Sequence, residues 1–183
     1  MKYISEVFQR LSRGQFISSN SIDAETRAIY SDIEENQQEY EDYFSKIDFL
    51  LSSGDGFYYF SRKEAKVITE NKLQSLFSWI DYLDFLKTYD TTFDAGTQFS
   101  LVQMEVKLST IPGLKEKLAQ MFPDKLTNRQ KLEALAGAME SLGFAELVNE
   151  ADSTYQVTNA FHYIEQIILC INIDEDVKDE IPQ

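Results

Sequence analysis

The chain has 183 residues, with 17 basic and 31 acidic side chains and a formal net charge of −14 at pH 7. It contains only 3 prolines and 7 glycines, which excludes a collagenous or low-complexity protein. The single cysteine, Cys170, cannot form an internal disulfide, so a disulfide-stapled secreted domain is excluded too. No stretch approaches the ~18 apolar residues of a membrane-spanning helix, and the first residues do not resemble a signal peptide. We therefore expect a cytoplasmic protein with no membrane association.

Apolar residues recur at helical spacing through most of the first half. They predict helices over about 3–11 and 23–33, and a third that an Asn36–Glu39 capping box opens and that continues through Leu51. A short extended piece at 15–18 follows the first helix. The turn residues Asp55 and Gly56 stand beside an aromatic run, which predicts a β-hairpin.

The second half shows a similar succession of patterns. A capping box at Ser61–Glu64 opens a long helix toward Asp90, and an extended piece lies near Phe99. Capping boxes at Ser100–Gln103 and Thr127–Gln130 open two further helices, with one or two helical turns between them. Two strands are predicted at 144–148 and 154–157, and a last helix is predicted over 159–171.

Each half therefore has the order helix, strand, helix, helix, hairpin, which is the order of a winged helix. We predict a mainly α fold with small β-hairpins (α+β) and tandem winged-helix domains. The predicted divisions are an N-terminal winged-helix-like domain over 1–66, a C-terminal one over 67–173 and an acidic flexible tail over 174–183.

The sequence offers no catalytic constellation. His162 precedes Glu165 by three residues, a spacing that can share a metal, but no Cys/His cluster completes a site. Cys170 lies in an apolar stretch with no neighbour that would favour its thiolate. We predict no enzyme activity, no metal and no cofactor.

Two groups of basic residues are the candidate DNA contacts. Lys125, Arg129 and Lys131 surround the start of the helix that would be the second recognition helix. The other group follows the first hairpin and consists of Arg62, Lys63 and Lys66. The alternative is that both groups lie on an ordinary solvated face, and positive charge is mildly unfavourable at a helix N-terminus. A net charge of −14 opposes contact with phosphate, so DNA binding is expected to be weak or to occur only within a larger assembly.

The aromatic run of the first hairpin is the candidate protein interface. Strand alternation places Phe57 and Tyr59 on one face, and Tyr58 and Phe60 on the other. A single core can bury only one of these faces. The remaining face is expected either under the long helix or at a partner, and the 13 Phe and 10 Tyr of the chain favour self-association.

Two segments carry a resemblance to a known family. The run Leu11-Ser12-Arg13-Gly14-Gln15-Phe16-Ile17 and the hairpin Gly56-Phe57-Tyr58-Tyr59-Phe60, in a small acidic chain with two winged-helix-like halves, resemble the MukE/MksE family. These proteins are non-SMC subunits of bacterial condensin-like complexes, and the related subunit of Wadjet plasmid-defence systems is similar.

The resemblance implies a dimeric, nucleoid-associated subunit that binds a kleisin-like subunit and an SMC-like ATPase. Such a subunit would assist DNA loading and condensation, chromosome segregation or plasmid defence. The resemblance identifies no functional residue in this sequence. The alternative is a free-standing winged-helix transcriptional regulator that binds DNA, which the net charge and the absence of a base-reading set of Arg, Asn and Gln oppose.

Overall fold

The structure is a computed structural model that describes residues 1–61 and 66–169, with only the helical backbone over 66–76. The first half contains α1 (Ile4–Leu11), β1 (Ile17–Ser18), α2 (Ala24–Glu35), α3 (Gln37–Ser45), β2 (Leu50–Gly54) and β3 (Phe57–Ser61). Helix α2 begins where the Asp23 carboxylate accepts hydrogen bonds from the backbone N–H groups of Glu25 and Thr26.

The second half contains α4 (Lys66–Tyr89), β4 (Gln98–Ser100), α5 (Leu101–Lys107), α6 (Leu114–Gln120), α7 (Asn128–Leu142), β5 (Ala145–Asn149), β6 (Thr154–Val157) and α8 (residues 161–169). The predicted capping box of Thr127 and Gln130 is confirmed, since each side chain binds the other residue's backbone N–H. Gly143, in the left-handed conformation at φ 81°, ends α7.

Each half contributes one antiparallel sheet of three strands. The orders are β1-β3-β2 and β4-β6-β5, so the strand before the first internal helix pairs with the second strand of the hairpin in both halves. The predicted α+β class and the repeated element order are confirmed, with α6 as an additional helix in the second half.

The third helix is predicted to continue through Leu51, which is more than one turn beyond its end in the structure. Helix α3 ends at Ser45, the chain reverses at Asp48 with φ 62°, and Leu50 and Leu51 begin strand β2. Leu51 is buried whereas Leu50 is 54% exposed, which is the alternation of a strand. Ile47, Leu50 and Leu51 happen to be spaced as on a helix, and this spacing led to the wrong prediction.

In two of the predicted capping boxes, the first residue's side chain binds a backbone oxygen outside the helix that follows it. The Asn36 amide donates to the backbone oxygen of Asp32, and the Ser100 hydroxyl donates to the backbone oxygen of Asp152. Neither residue caps the helix that follows it. The box at Ser61–Glu64 falls largely outside the described residues.

The buried residues form two cores. The N-terminal core contains Val7, Leu11, Ile17, Ile29, Ile33, Tyr40, Phe44, Phe49, Leu51 and Tyr58. The larger C-terminal core is built mainly from α4 to α8 and includes Trp79, Phe85, Phe93, Leu135, Phe144 and Phe161. Phe57 of the first half also belongs to the C-terminal core, so the division between the cores does not coincide with a division of the chain.

Within the described residues, no helix has the length and apolar content needed to cross a membrane. The acidic tail predicted over 174–183 lies outside the described residues. The predicted boundary between residues 66 and 67 adjoins residues 62–65, which are also outside them, so the domain boundaries stay predictions.

Candidate interaction surfaces

Strand β3 lies between the two cores and packs on both. Phe57 and Tyr59 pack on the C-terminal core, and Tyr58 and Phe60 pack on the N-terminal core. Only 1% of Phe57 and 4% of Tyr58 is exposed, while Tyr59 and Phe60 are half-buried. The expectation that a single core buries only one of these faces is corrected, because β3 lies between two cores and packs on both. Of the four predicted interface rings, Tyr59 and Phe60 alone keep accessible surface.

Burial also changes the chemistry of Tyr58. Its hydroxyl lies 3.4 Å from the side-chain oxygen of Gln37, and burial, assisted by the negative field of Tyr30 and Glu34, raises its pKa to about 12. The phenol is therefore neutral at physiological pH and acts as a packing group.

An apolar groove of about 280 Å³ opens beside Tyr59 and Phe60. Its aromatic lining comes from both halves of the chain and consists of Phe16, Tyr59, Phe60, Trp79, Phe144 and Tyr163. The Phe16 ring is central, with its centroid 5.2 Å from that of Phe144 and 5.0 Å from that of Tyr163. Sequence reasoning did not select Phe16 as a site residue, although it belongs to the segment that carries the family resemblance.

A polar seam joins the halves beside this groove; it consists of residues 18–22 together with Glu146 and residues 156–160. The Asn20 side-chain oxygen accepts from the Asn159 backbone N–H at 2.8 Å, and the Ser18 hydroxyl accepts from the Ala160 N–H at 3.3 Å. Both donors open the turn that leads into α8. The segment 18–22 therefore fixes the turn at 159–160 that precedes α8, while the first N–H groups of α8 itself donate to backbone oxygens of residues 158–160.

The seam continues at the start of β5. The Glu146 carboxylate accepts from the Ser21 hydroxyl and from the Ile22 backbone N–H, each at 2.6 Å. Gly56, at φ 77°, lies against the other end of the seam, where an added Cβ would stand 2.3 Å from the Asn159 side-chain nitrogen. The first hairpin can approach α8 this closely because position 56 carries no side chain.

The candidate DNA contacts around the start of α7 do not form a free cationic face. Lys125 lies 2.8 Å from the Asp124 carboxylate, and Arg129 lies 2.7 Å from Glu133. The expected surface position of Lys131 is corrected, because its side chain is buried and its ammonium donates to two backbone oxygens at the end of α6. Arg62 and Lys63 lie outside the described residues, as does the side chain of Lys66.

One cluster of side chains has the composition of a metal site. Possible ligand atoms of Asp94, His162 and Glu165 lie within 4.8 Å of one another. However, the Lys87 ammonium is 2.8 Å from Glu165, and His162 is 3.0 Å from Asp94. The Lys87–Glu165 ion pair joins α8 to α4, and the hydrogen bond between His162 and Asp94 joins α8 to the loop before β4.

Comparison with protein-family models gives a match over residues 2–168 to MksE, described as condensin complex protein MksE. The match covers both halves of the chain, both sheets and the seam between them. Comparison with curated proteins gives no match.

Proposed function

This chain belongs to the MksE family of condensin complex proteins, and on that premise we propose that it is a non-catalytic accessory subunit of a bacterial condensin-like SMC complex. In this proposal it binds a kleisin-like subunit, joins an SMC-like ATPase through it, and acts in the cytoplasm on the nucleoid. Its contribution would be to DNA loading and chromosome segregation, or to plasmid defence. The observation that carries the proposal is the family match over nearly the whole described chain.

We further propose that each half is a winged-helix unit. The support is the order of elements and the matching strand order of the two sheets, with a hairpin as the wing in each half. A pair of such units without a basic recognition face is suited to binding protein.

The charge distribution supports protein partners over DNA for the free subunit. The net charge is −14, and Lys125 and Arg129 are each already paired with an acid. Phosphate contact would therefore have to displace an internal partner and overcome long-range repulsion. In the assembled complex, basic surfaces of other subunits would supply the attraction that this chain lacks.

The test is co-expression of the tagged chain with the products of its neighbouring genes. We expect a kleisin-like protein and a long coiled-coil ATPase to purify with it as one complex. Light scattering on the chain alone should report a homodimer, and the dimer's aromatic contacts are proposed to include Tyr59 and Phe60.

A mobility-shift titration with random duplex DNA at physiological salt separates this proposal from the regulator. The free subunit should bind no more tightly than the ~10⁻⁶ M limit of ordinary non-specific binding. A monomer that binds a defined duplex far more tightly, and that retains no SMC-type partner, would overturn the proposal.

A further inference from the structure

The edge of the N-terminal sheet offers a second kind of surface. Strand β2 stands at the edge of the order β1-β3-β2 and pairs with β3 in an unbroken register from Leu50 to Gly54. Among the residues that the structure describes, nothing pairs with its other side.

The register identifies which backbone groups face outward. Gly54 pairs with Phe57 across the two-residue turn, so Gly54, Ser52 and Leu50 bind β3 through their backbones. The Ser19 N–H donates to the Gly56 oxygen at 2.9 Å, which places the backbone groups of Tyr58 toward β1 and agrees with this alternation. Leu51 and Ser53 therefore point their N–H and C=O groups away from the sheet.

This edge lacks the features that usually prevent strand addition. Residues 49–54 contain no charge and no proline, and the pairing contains no bulge. The corresponding edge strand of the second half, β5, contains Glu146, has an irregular register between Leu147 and Asn149, and is bound by residues 21–22. The β5 edge thus carries a charge and an irregular register, whereas the β2 edge is uncharged, regular and, among the described residues, unpaired.

The charges at the ends of β2 indicate what could pair with it. The exposed carboxylates of Asp48 and Asp55 bracket the uncharged strand. A second copy of the chain, paired about Ser52 by a two-fold axis, would bring Asp48 of one copy next to Asp55 of the other at both ends. Like charges opposed across strands are destabilising, so a second copy is a poor occupant. A strand with basic residues at both ends is complementary.

Apolar side chains adjoin the open edge. Tyr43, Ile47 and Leu50 are 43%, 48% and 54% exposed and lie along the end of α3 and the start of β2. They provide the side-chain contacts that main-chain pairing alone does not supply.

We propose that β2 accepts an extended segment of a partner protein as a fourth strand of the sheet. The segment is uncharged in its middle and basic at both ends, and it pairs through Leu51 and Ser53. The proposal rests on the proposed function in one respect, namely that the donor is a protein subunit of the same complex.

The experiment compares Ser53→Pro with Ser53→Ala in the full chain. Proline removes the outward N–H at an edge position that tolerates it, and alanine keeps the N–H. The probe is a fluorescent synthetic peptide of alternating valine and threonine with lysines at both ends. We expect the wild type and Ser53→Ala to bind it equally, and Ser53→Pro to bind it roughly 3- to 10-fold more weakly, as for the loss of one hydrogen bond.

Charge is tested separately with a peptide that ends in glutamates and with the double variant Asp48→Asn, Asp55→Asn. The glutamate peptide should bind the wild type more weakly than the lysine peptide, and the double variant should reduce that difference. Equal binding of both peptides, or full binding by a folded Ser53→Pro variant, would overturn the proposal. Circular dichroism of each variant establishes that it is folded.

Co-purification distinguishes this proposal from the function on which it rests. If wild-type chain retains its kleisin-like partner and Ser53→Pro loses it, both proposals are supported. If a titration shows that Ser53→Pro binds the purified partner with wild-type affinity, the edge proposal is wrong and the proposed function stands. If the wild type retains no partner, the proposed function fails, while the peptide titration still decides whether β2 accepts a basic strand.

Discussion

Lys131 closes the end of helix α6. Its ammonium donates to the backbone oxygens of Ala119 and Met121 at 2.7 and 2.6 Å, in the last turn of that helix and just after it. Lys131→Met should lower the free energy of unfolding by about 1–3 kcal/mol, because it leaves the buried Met121 carbonyl without this donor. Urea denaturation would measure the change.

The matched control is Lys125→Met, which removes a cation whose partner Asp124 is exposed. An exposed pair of this kind contributes little because water screens it, so this variant should stay near wild-type stability. Equal losses for the two variants would show that the Lys131 ammonium is not structural. Charge reversals that probe DNA contact are therefore better made at Lys125 and Arg129 alone.

At Gly56 the first hairpin lies close to Asn159 of the second half, a contact that the geometry of the turn alone does not require. Gly56→Ala combines the strain of φ 77° with a Cβ placed 2.3 Å from the Asn159 amide, which must move and release the Ser19 hydroxyl. We expect a loss of about 2–3 kcal/mol, the sum of left-handed strain and one hydrogen bond. Gly96→Ala is the control, since Gly96 has φ 84° but nothing within 4 Å. If both variants lose the same stability in urea, the contact with α8 contributes nothing.

At the scale of elements, the turn at 159–160 that precedes α8 is held by hydrogen bonds to the first half of the chain. Asn20→Ala removes the acceptor of the Asn159 N–H and the donor to the Val157 oxygen, and should cost about 1–2 kcal/mol. Hydrogen exchange at 159–163 should accelerate more than exchange in α7. Asn20→Asp keeps the acceptor and adds a negative charge at a helix N-terminus, so it should retain most of the stability. Unchanged exchange in Asn20→Ala would show that Asn20 does not hold the turn before α8.

The same contacts predict the behaviour of the whole molecule. Because β3 packs on both cores and the polar seam joins the halves, we expect a single cooperative unfolding transition. Phe44→Ala in the N-terminal core, a fully buried ring, should cost about 3–5 kcal/mol. The only tryptophan, Trp79, lies in the C-terminal core and reports on it by fluorescence.

The midpoint followed by Trp79 fluorescence should therefore shift by the same amount as the midpoint followed by circular dichroism. Leu135→Ala in the C-terminal core is the reciprocal control and should shift both signals together. If Phe44→Ala leaves the Trp79 transition in place, the halves unfold independently, and the predicted domains over 1–66 and 67–173 are separate folding units.

Local signals in the sequence determined most of the elements. The apolar spacing of α1, α2 and α7, the capping box of Thr127 with Gln130, and the Asp55-Gly56 turn each act within a few residues, and the structure contains all of them. The α+β class and the repeated order follow from these local signals. The segment containing Phe16 and the first hairpin carried the resemblance to the family that the match over residues 2–168 establishes.

Tertiary structure alone decided how those elements meet. Leu50 and Leu51 have helical spacing but lie in a strand, because pairing with β3 and burial of Leu51 outweigh a weak local preference. Residues 18–21 are polar in sequence, yet they bind the turn before α8 and the Glu146 carboxylate because the halves pack together. Phe57 and Tyr58 are both buried because β3 has a core on each side, a fact that depends on contacts between residues far apart in the chain.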